Sequence, residues 1–361
     1  MIAKIKLNLV LLLLISLFGA CAGPRLPGAK KLPPALPAAA AGADAAPPLL
    51  LSRWQDIPGW QSDDLTEAWQ AFLVGCSRAD SSVFSAICRD AKAYTPAHTE
   101  GLRQFFEAHF FPYQVVSPDG GREGLITGYY EPLLLGSRTP SERFRYPLYK
   151  KPHPTMSYFS REEIDGATGA LQGYELLWAD DLVDLFFLHI QGSGRLALDG
   201  GEITRLGYAG QNGHPYVAIG KLLIDDGELT REEVNLPTIK AWLRRNPEKA
   251  PTLLNRNPSY VFFRELPPDL DGPIGALGVP LTAGRSVAVD PNFIQLGAPV
   301  FLDTNWPGTA APLQRLTVAQ DKGGAIKGAV RADFFWGFGQ EAEDYAGRMK
   351  EPGRIWVLLP R

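Results

Sequence analysis

Apolar residues recur at three- and four-residue spacing in the first part of the chain that could form a core, from Leu65 to about Phe111. This period places apolar side chains on one side of a helix, so it predicts helices that lie on a core. After Gly120 the pattern changes to short apolar runs separated by Gly, Pro and Asp. Such runs are typical of strands joined by turns. The pattern therefore predicts a mainly β fold with a helical N-terminal part.

The predicted strands lie on both sides of a helical interlude, which covers 215–223 and 238–245. Many short strands with even turn spacing are typical of barrels or sandwiches. The strands predicted before the interlude are 125–130, 185–190 and 194–198, and those after it are 257–263, 286–289, 299–302, 316–319 and 355–358.

The N-terminus has the composition of a secretory signal peptide. Lys4 and Lys6 precede an apolar run over 7–18, and two small residues precede Cys21. The run is shorter than the roughly 20 apolar residues that span a bilayer. A Cys directly after the cleavage position resembles the bacterial lipoprotein box, which predicts that 1–20 are removed and that Cys21 is lipidated. The alternative is a soluble secreted protein in which Cys21 has no special role.

The segment 21–50 is rich in Ala, Pro and Gly and carries few charges. Such a composition cannot bury a core, so it predicts a lipid anchor followed by a semi-extended tether. Ala22 is a residue that permits sorting to the outer membrane of a Gram-negative cell. We therefore expect an outer membrane lipoprotein that faces the periplasm.

Two further cysteines, Cys76 and Cys88, lie twelve positions apart. An oxidising compartment allows a disulfide between them. Val74 and Ile87 place both in apolar surroundings, so two buried free thiols are an equal alternative. The sequence leaves both possibilities open.

The charge pattern excludes some classes of partner. The formal net charge is −3, with acidic and basic residues interspersed, which gives no indication of a nucleic-acid partner. Five scattered His and the lack of paired Cys/His spacing give no support for a zinc site. We expect no metal or cofactor, and a roughly neutral or polar partner.

Three aspartates, Asp290, Asp321 and Asp333, each end an apolar strand or begin a turn in the C-terminal segment. A carboxylate at a barrel mouth is partly desolvated, which raises its pKa towards the range of a general acid. The commoner use of Asp at such places is to hydrogen-bond its own backbone in a turn. The residue types alone therefore do not establish catalysis.

Long strings of low degeneracy surround these aspartates: GGAIKG at 323–328, RADFFWGFGQEA at 331–342, AGRM at 346–349 and GRIW at 353–356. The segment resembles the three-aspartate catalytic domain of the membrane-bound lytic murein transglycosylase A family, a double-psi β-barrel named for those acids. The upstream strings GYYEP (128–132), YPLY (146–149), HIQGSG (189–194) and GYAGQNG (207–213) resemble the second domain of that family.

This resemblance implies a catalytic domain made of 51–124 and 278–361, and a β-rich substrate-binding domain inserted at 125–277, with a groove between them. It implies Asp333 as the catalytic acid, Asp321 as its neighbour and Asp290 in a supporting role. Aromatic, amide and hydroxyl groups suit sugar binding, although core packing and turns are an even alternative for them. The substrate-binding residues predicted in this way are Tyr129, Tyr130, Gln191, Gly192, Ser193, Gly194 and Tyr208.

The implied reaction is cleavage of the peptidoglycan bond between N-acetylmuramic acid and N-acetylglucosamine, with formation of a 1,6-anhydromuramoyl product. One carboxylate suffices, because the muramoyl C6 hydroxyl replaces water. Two alternatives remain open. The first is an inverting hydrolase that uses Asp333 and Asp321 with water, and the second is a non-catalytic, expansin-like protein that binds the wall.

Overall fold

The computed structural model describes residues 49–78, 83–95, 98–154, 158–166 and 169–361. The predicted signal peptide, Cys21 and the tether up to residue 48 lie outside the described residues. Within those ranges, each helix is too short or too polar to cross a membrane.

The strands and helices alternate in a mixed order along the chain. The strands are β1 (Leu49–Leu51), β2 (Phe110–Val115), β3 (Gly124–Glu131), β4 (Leu133–Ser137), β5 (Tyr146–Tyr149), β6 (Glu175–Ala179), β7 (Gly194–Leu198), β8 (Ile203–Gln211), β9 (Val261–Leu266), β10 (Ser286–Val289), β11 (Pro299–Asn305), β12 (Pro312–Asp321), β13 (Arg331–Phe338) and β14 (Lys350–Pro360). The helices are α1 (Thr66–Gly75), α2 (Ser85–Ala93), α3 (Thr99–His109), α4 (Arg161–Asp165), α5 (Leu182–Gln191), α6 (Ile219–Asp225), α7 (Leu236–Arg245), α8 (Ala250–Asn255) and α9 (Gln340–Arg348).

Six strands close into a barrel. The first sheet has the order β1-β2-β14-β11-β12-β10-β13-β3, and a further pairing between β14 and β3 closes the ring from β14 to β3. Two pairs in the ring, β10 with β12 and β13 with β3, are parallel. Closure removes the exposed edges that an open sheet would present. The predicted barrel, and the mainly β fold with a helical N-terminal part, are confirmed.

The helices α1, α2 and α3 cover one side of the barrel with an aromatic core. Trp60 lies between Phe106 of α3 and Phe301 of β11, at ring distances of 6.5 and 5.7 Å. Cys76 and Cys88 form a disulfide with their Cα atoms 5.3 Å apart, which joins the end of α1 to α2. The sequence left a disulfide and two buried free thiols as alternatives, and the structure contains the disulfide.

The second sheet has the order β5-β6-β4-β7-β8-β9, and the helices α5, α6, α7 and α8 pack together beside it. The strand predicted at 185–190 is wrong, because these residues form α5. Leu185 and Leu188 pack on the sheet, whereas Phe186 and Phe187 pack among the helices, so the helix is apolar all round. A short continuous apolar run does not separate a buried helix from a buried strand by period.

The two sheets are joined directly through β3 and β4. Strand β3 pairs with β13 and β14 of the barrel, and the chain passes through Pro132 into β4 of the second sheet. The predicted limits 125 and 277 of the inserted domain stay a prediction; β3, which falls within them, is a barrel strand. Likewise β1 begins at Leu49, inside the predicted tether.

Candidate active site

Asp321 and Asp333 lie on the two strands that flank β10, at the same level. Ala288 of β10 is opposite Asp321 of β12 on one side and opposite Asp333 of β13 on the other. Paired residues on neighbouring strands project from the same face of a sheet, and strands lie about 4.8 Å apart. The two aspartates are therefore about 10 Å apart at their Cα atoms. Both line a single cavity of about 340 Å³.

A bulge in β12 produces this alignment. Val287 pairs with Ala319, but the next residue, Ala288, pairs with Asp321, so Gln320 is an extra residue. The buried Gln320 side chain donates from Nε2 to the carbonyl of Ala71 in α1 at 2.8 Å. A bulge re-aims the side chains that follow it. Here it directs Asp321 towards the cavity that contains Asp333.

The surroundings of Asp333 favour its protonated form. Burial raises the pKa of Asp333, and a hydrogen bond from Thr127 and the charge of Arg331 oppose this rise. The Thr127 hydroxyl donates to Oδ1 of Asp333. The same hydroxyl oxygen accepts a hydrogen bond from Nη2 of Arg331 at 2.8 Å. An acid with a raised pKa beside an orienting donor suits general acid catalysis.

Both oxygens of Asp321 already accept hydrogen bonds. Oδ1 accepts from the backbone N–H groups of Ala276 and Lys322, each at 2.9 Å. Oδ2 accepts from the hydroxyl of Tyr129 at 3.2 Å. Burial nevertheless raises the pKa of Asp321 to about 6, against these donors. The carboxyl group of Asp321 therefore titrates near neutral pH while it holds two loops and a tyrosine in place.

The structure does not bring Asp290 into the cavity. This residue follows β10 and is buried. Its Oδ1 accepts from the N–H of Asn292 at 3.2 Å, and its Oδ2 accepts from the N–H of Gly328 at 3.0 Å. These are the contacts of a turn aspartate. Asp290 thus fastens the loop between β12 and β13 to the end of β10.

The predicted sugar-binding residues separate into two groups. Tyr129, Gln191, Gly192 and Tyr208 line the 340 Å³ cavity. An adjoining cavity of about 640 Å³ is lined by Ser193 and again by Gln191, Gly192 and Tyr208. The aromatic ring of Tyr208 is half exposed, as a ring that stacks on a sugar must be.

Tyr130 and Gly194 line neither cavity. The Tyr130 ring is buried against Ala342 and Ala346 of α9. Its backbone N–H donates to Oε1 of Gln191 at 3.1 Å, so Tyr130 fixes the orientation of a residue that does line the cavity. A Cβ at Gly194 would lie 2.3 Å from Leu188 Cδ1, which explains the glycine by close packing.

Several lining residues of the 340 Å³ cavity had no sequence signal. The fully buried Arg161 donates to the carbonyls of Asn257 and Ser259 at 3.1 and 2.7 Å. Its Nη1 lies 3.1 Å from Nδ1 of His189, and burial together with Arg161 lowers the pKa of His189 well below its usual value. His189 is therefore neutral. Sequence patterns missed Thr127 and Arg331 because their contacts join β3 and β13, which are neighbours in the sheet but far apart in sequence.

Comparison with known proteins identifies relatives of the whole folded part. Two family models match: the MltA specific insert domain over residues 125–264 and the 3D domain over residues 285–359. The membrane-bound lytic murein transglycosylase A of Escherichia coli (strain K12) is 37% identical over 287 residues, which cover 77% of this chain and 76% of that protein.

Solved structures agree with this relationship. The structure of a lytic transglycosylase of Burkholderia pseudomallei has 49% sequence identity and a TM-score of 0.61, and the match covers 89% of this chain and 97% of that one. The structure of E. coli MltA with bound chitohexaose has 30% identity and a TM-score of 0.73, over 88% and 96% of the two chains. The chain therefore belongs to the membrane-bound lytic murein transglycosylase A family.

Proposed function

We propose that this enzyme cleaves the β-1,4 bond between N-acetylmuramic acid and N-acetylglucosamine in peptidoglycan and leaves 1,6-anhydromuramoyl ends, with Asp333 as its only catalytic acid and base. The observation that carries the assignment of roles is the contrast between the two carboxylates. Within the described residues, Oδ1 of Asp333 accepts a hydrogen bond and Oδ2 accepts none, whereas both oxygens of Asp321 are engaged. The chitohexaose bound to the E. coli relative supports a β-1,4-linked amino-sugar chain as the ligand of this groove.

The hydrogen bonds around Thr127 assign the proton of Asp333 to one oxygen. The Thr127 hydroxyl has a single hydrogen, which it donates to Oδ1 of Asp333, while its oxygen accepts a hydrogen bond from Arg331. Oδ1 is then an acceptor, and the acidic proton resides on Oδ2. Oδ2 is accordingly the atom that protonates the glycosidic oxygen as the bond to the muramoyl C1 breaks.

The second half of the reaction returns the proton to Asp333. The Asp333 carboxylate accepts the proton of the muramoyl C6 hydroxyl while the oxygen of that hydroxyl bonds to C1. One C–O bond is broken and one is formed, the acid is regenerated, and no water is consumed. Asp321, Tyr129 and the loops bonded to them provide a fixed wall for the reacting sugar.

An inverting hydrolase remains a second candidate because of the spacing of the acids. Inversion needs two carboxyl groups about 6.5 to 9.5 Å apart, with water between them. The Cα atoms of Asp321 and Asp333 are about 10 Å apart across one intervening strand, which allows such a separation of their carboxyl groups. The three hydrogen bonds that Asp321 accepts argue against its use as the base.

The role of Asp333 is tested by digestion of peptidoglycan sacculi with the full chain in detergent. We expect Asp333→Asn to lower the release of soluble fragments by about 10²- to 10⁴-fold, the usual contribution of a general acid. Asp199→Asn, an exposed turn residue between β7 and β8, is the matched control and should retain full activity. Equal activity of Asp333→Asn and the control would refute the proposed role.

We further propose that Cys21 carries a lipid that anchors the enzyme to the outer membrane, facing the periplasm. The support is the lipoprotein-type sequence around Cys21 and the membrane-bound relatives. We expect Cys21→Ser to move the protein from the membrane fraction to the soluble fraction in cell fractionation, with unchanged activity on sacculi. Retention of Cys21→Ser in the outer membrane fraction would refute lipid anchoring at this residue.

A further inference from the structure

The 640 Å³ cavity beside Asp321 has a basic wall formed by Arg264, Lys322 and Lys327. Arg264 lies on β9 of the second sheet, and the two lysines lie on the loop between β12 and β13 of the barrel. All three are exposed. The basic wall therefore contains residues from both sides of the groove.

This basic wall has little opposing negative charge. Among the residues that line the cavity, Asp321 is the only acid. Its carboxyl group has a pKa of about 6, so it cancels at most one of the three charges. Within the described residues, no ion pair forms to Arg264, Lys322 or Lys327, whereas the neighbouring Glu265 is paired with Arg138.

The loop that carries the two lysines is fastened to the barrel at three points. The N–H of Lys322 donates to Asp321, and the N–H of Gly328 donates to the buried Asp290. Between them, Ile326 is buried against Tyr129 and Phe335. Lys322 and Lys327 thus project from a loop with a fixed backbone, which lowers the cost of ordering them around a ligand.

The two cavities are parts of one groove. Gln191, Gly192, Tyr208, Asp321 and Lys322 line both of them. A glycan whose reacting bond lies at Asp333 would carry the substituents of the adjacent sugars past Asp321 into the larger cavity. The lactyl ether of N-acetylmuramic acid is the only substituent of this glycan that bears carboxylates, either its own or those of an attached peptide stem.

We propose that the basic wall binds a carboxylate on the lactyl arm of N-acetylmuramic acid and so selects peptidoglycan over neutral chitin-like chains. This inference rests on the proposed function, because it assigns a substrate feature to the same groove. Exposed ion pairs are individually weak, so several cations are needed for a measurable preference. The source of the carboxylate is either the lactyl group itself or the stem.

The test compares Arg264→Gln/Lys327→Gln with Arg89→Gln/Lys92→Gln, a control that removes the same charge from exposed positions of α2. The substrates are stem-bearing glycan strands, stem-free strands that keep the lactyl carboxylate, and neutral chitohexaose. Affinities are measured in the full-length Asp333→Asn background, so that binding is read independently of cleavage. Product formation is measured in parallel with intact Asp333.

We expect the Arg264/Lys327 variant to lose about tenfold in affinity for stem-bearing strands, and to lose the salt dependence of that affinity. Affinity for chitohexaose should be unchanged. A loss confined to stem-bearing strands identifies the stem carboxylates, and a loss confined to stem-free strands identifies the lactyl carboxylate, which is an amide where a stem is attached. A loss on both anionic substrates shows that the basic wall accepts either carboxylate.

Three results would overturn the inference: equal losses of affinity for all three ligands, unchanged affinity for both anionic ligands, or an equal loss of affinity in the α2 control. Failure of the proposed function has a different signature. The enzyme with intact Asp333 would then form no anhydromuramoyl product from any strand, whatever the affinities of the variants.

Discussion

The hydroxyl of Thr127 positions Asp333, the catalytic acid that we propose, through a single hydrogen bond. It receives a hydrogen bond from Arg331 and gives one to Asp333. A donor to a carboxylate stabilises the charged form, and this hydrogen bond lowers the pKa of Asp333 against the effect of burial. Thr127 thereby determines which oxygen of Asp333 carries the proton, and it influences the pH at which Asp333 loses that proton.

We predict that Thr127→Val shifts the alkaline limb of the pH–activity profile to higher pH. Loss of the donor removes a stabilisation of the Asp333 carboxylate, so its pKa rises and the acid stays protonated further into the alkaline range. Activity at the optimum should fall, because the acid is no longer oriented. The measurement is kcat/KM against pH on glycan strands. Thr127→Ser keeps the hydroxyl and is the control; a limb at the wild-type pH in Thr127→Val would disprove this role.

The sequence predicts Asp321 and Asp333 as site residues, but it does not predict the contacts that bring both to one cavity. The strings around Asp321 and Asp333 identify both residues, and both line the same cavity. Asp290, equally prominent in sequence, bonds backbone N–H groups instead. The difference depends on a one-residue bulge at Gln320, which is stabilised by a contact with Ala71 almost 250 positions away. No local pattern reports such a contact.

At the scale of elements, strands bounded by turn residues were predictable and the buried helix α5 was not. Gly and Pro punctuation marks the ends of strands such as β10 and β11 independently of their burial. In α5 the apolar side chains face both the second sheet and the neighbouring helices, which removes the helical period. Two local features mark the ends of α5. The Asp181 side chain accepts a hydrogen bond from the N–H of Asp184 at the N-terminus, and Gly192 ends the helix with a φ of 77°.

The disulfide between α1 and α2 stabilises the helical layer on the barrel. Closing a loop of this length in the unfolded chain is worth about 3 kcal/mol in the chain-entropy model. We therefore predict that Cys76→Ser/Cys88→Ser lowers the free energy of unfolding by about this amount in urea titrations. Activity should be retained below the melting temperature, since neither cysteine lines the 340 Å³ cavity or the 640 Å³ cavity.

Reduction of the wild-type protein serves as the control for that variant. A reducing agent should destabilise the wild type to the same extent and leave the double variant unaffected. An unchanged unfolding midpoint in the double variant would show that the cross-link does not contribute to stability.

At the scale of the whole molecule, a buried ion triad holds the two sheets together where β3 ends. Glu131 is fully buried and accepts from Arg195 of β7 at 2.7 Å and from Arg205 of β8 at 3.2 Å. The Arg195 guanidinium also lies 3.8 Å from the centre of the Phe338 ring, at the end of β13. The carboxylate thus connects barrel strands with strands of the second sheet, which explains why Glu131 lines neither cavity.

We predict that Glu131→Gln destabilises the protein by about 3 to 5 kcal/mol, because it leaves two largely buried guanidinium groups without their counter-ion. Glu265→Gln is the matched control. Glu265 pairs with the exposed Arg138, so its loss should cost less than about 1 kcal/mol. Equal unfolding midpoints for the two variants would contradict the proposed role of the triad.

We propose that Asp333 catalyses an intramolecular transfer and not a hydrolysis. The most direct measurement is mass spectrometry of the fragments released from sacculi by the full chain in water labelled with heavy oxygen. We predict anhydromuramoyl ends without label, and their absence with Asp333→Asn. Reducing ends that are heavier by one labelled water molecule would contradict it, and would assign the reaction to hydrolysis by Asp333 and Asp321.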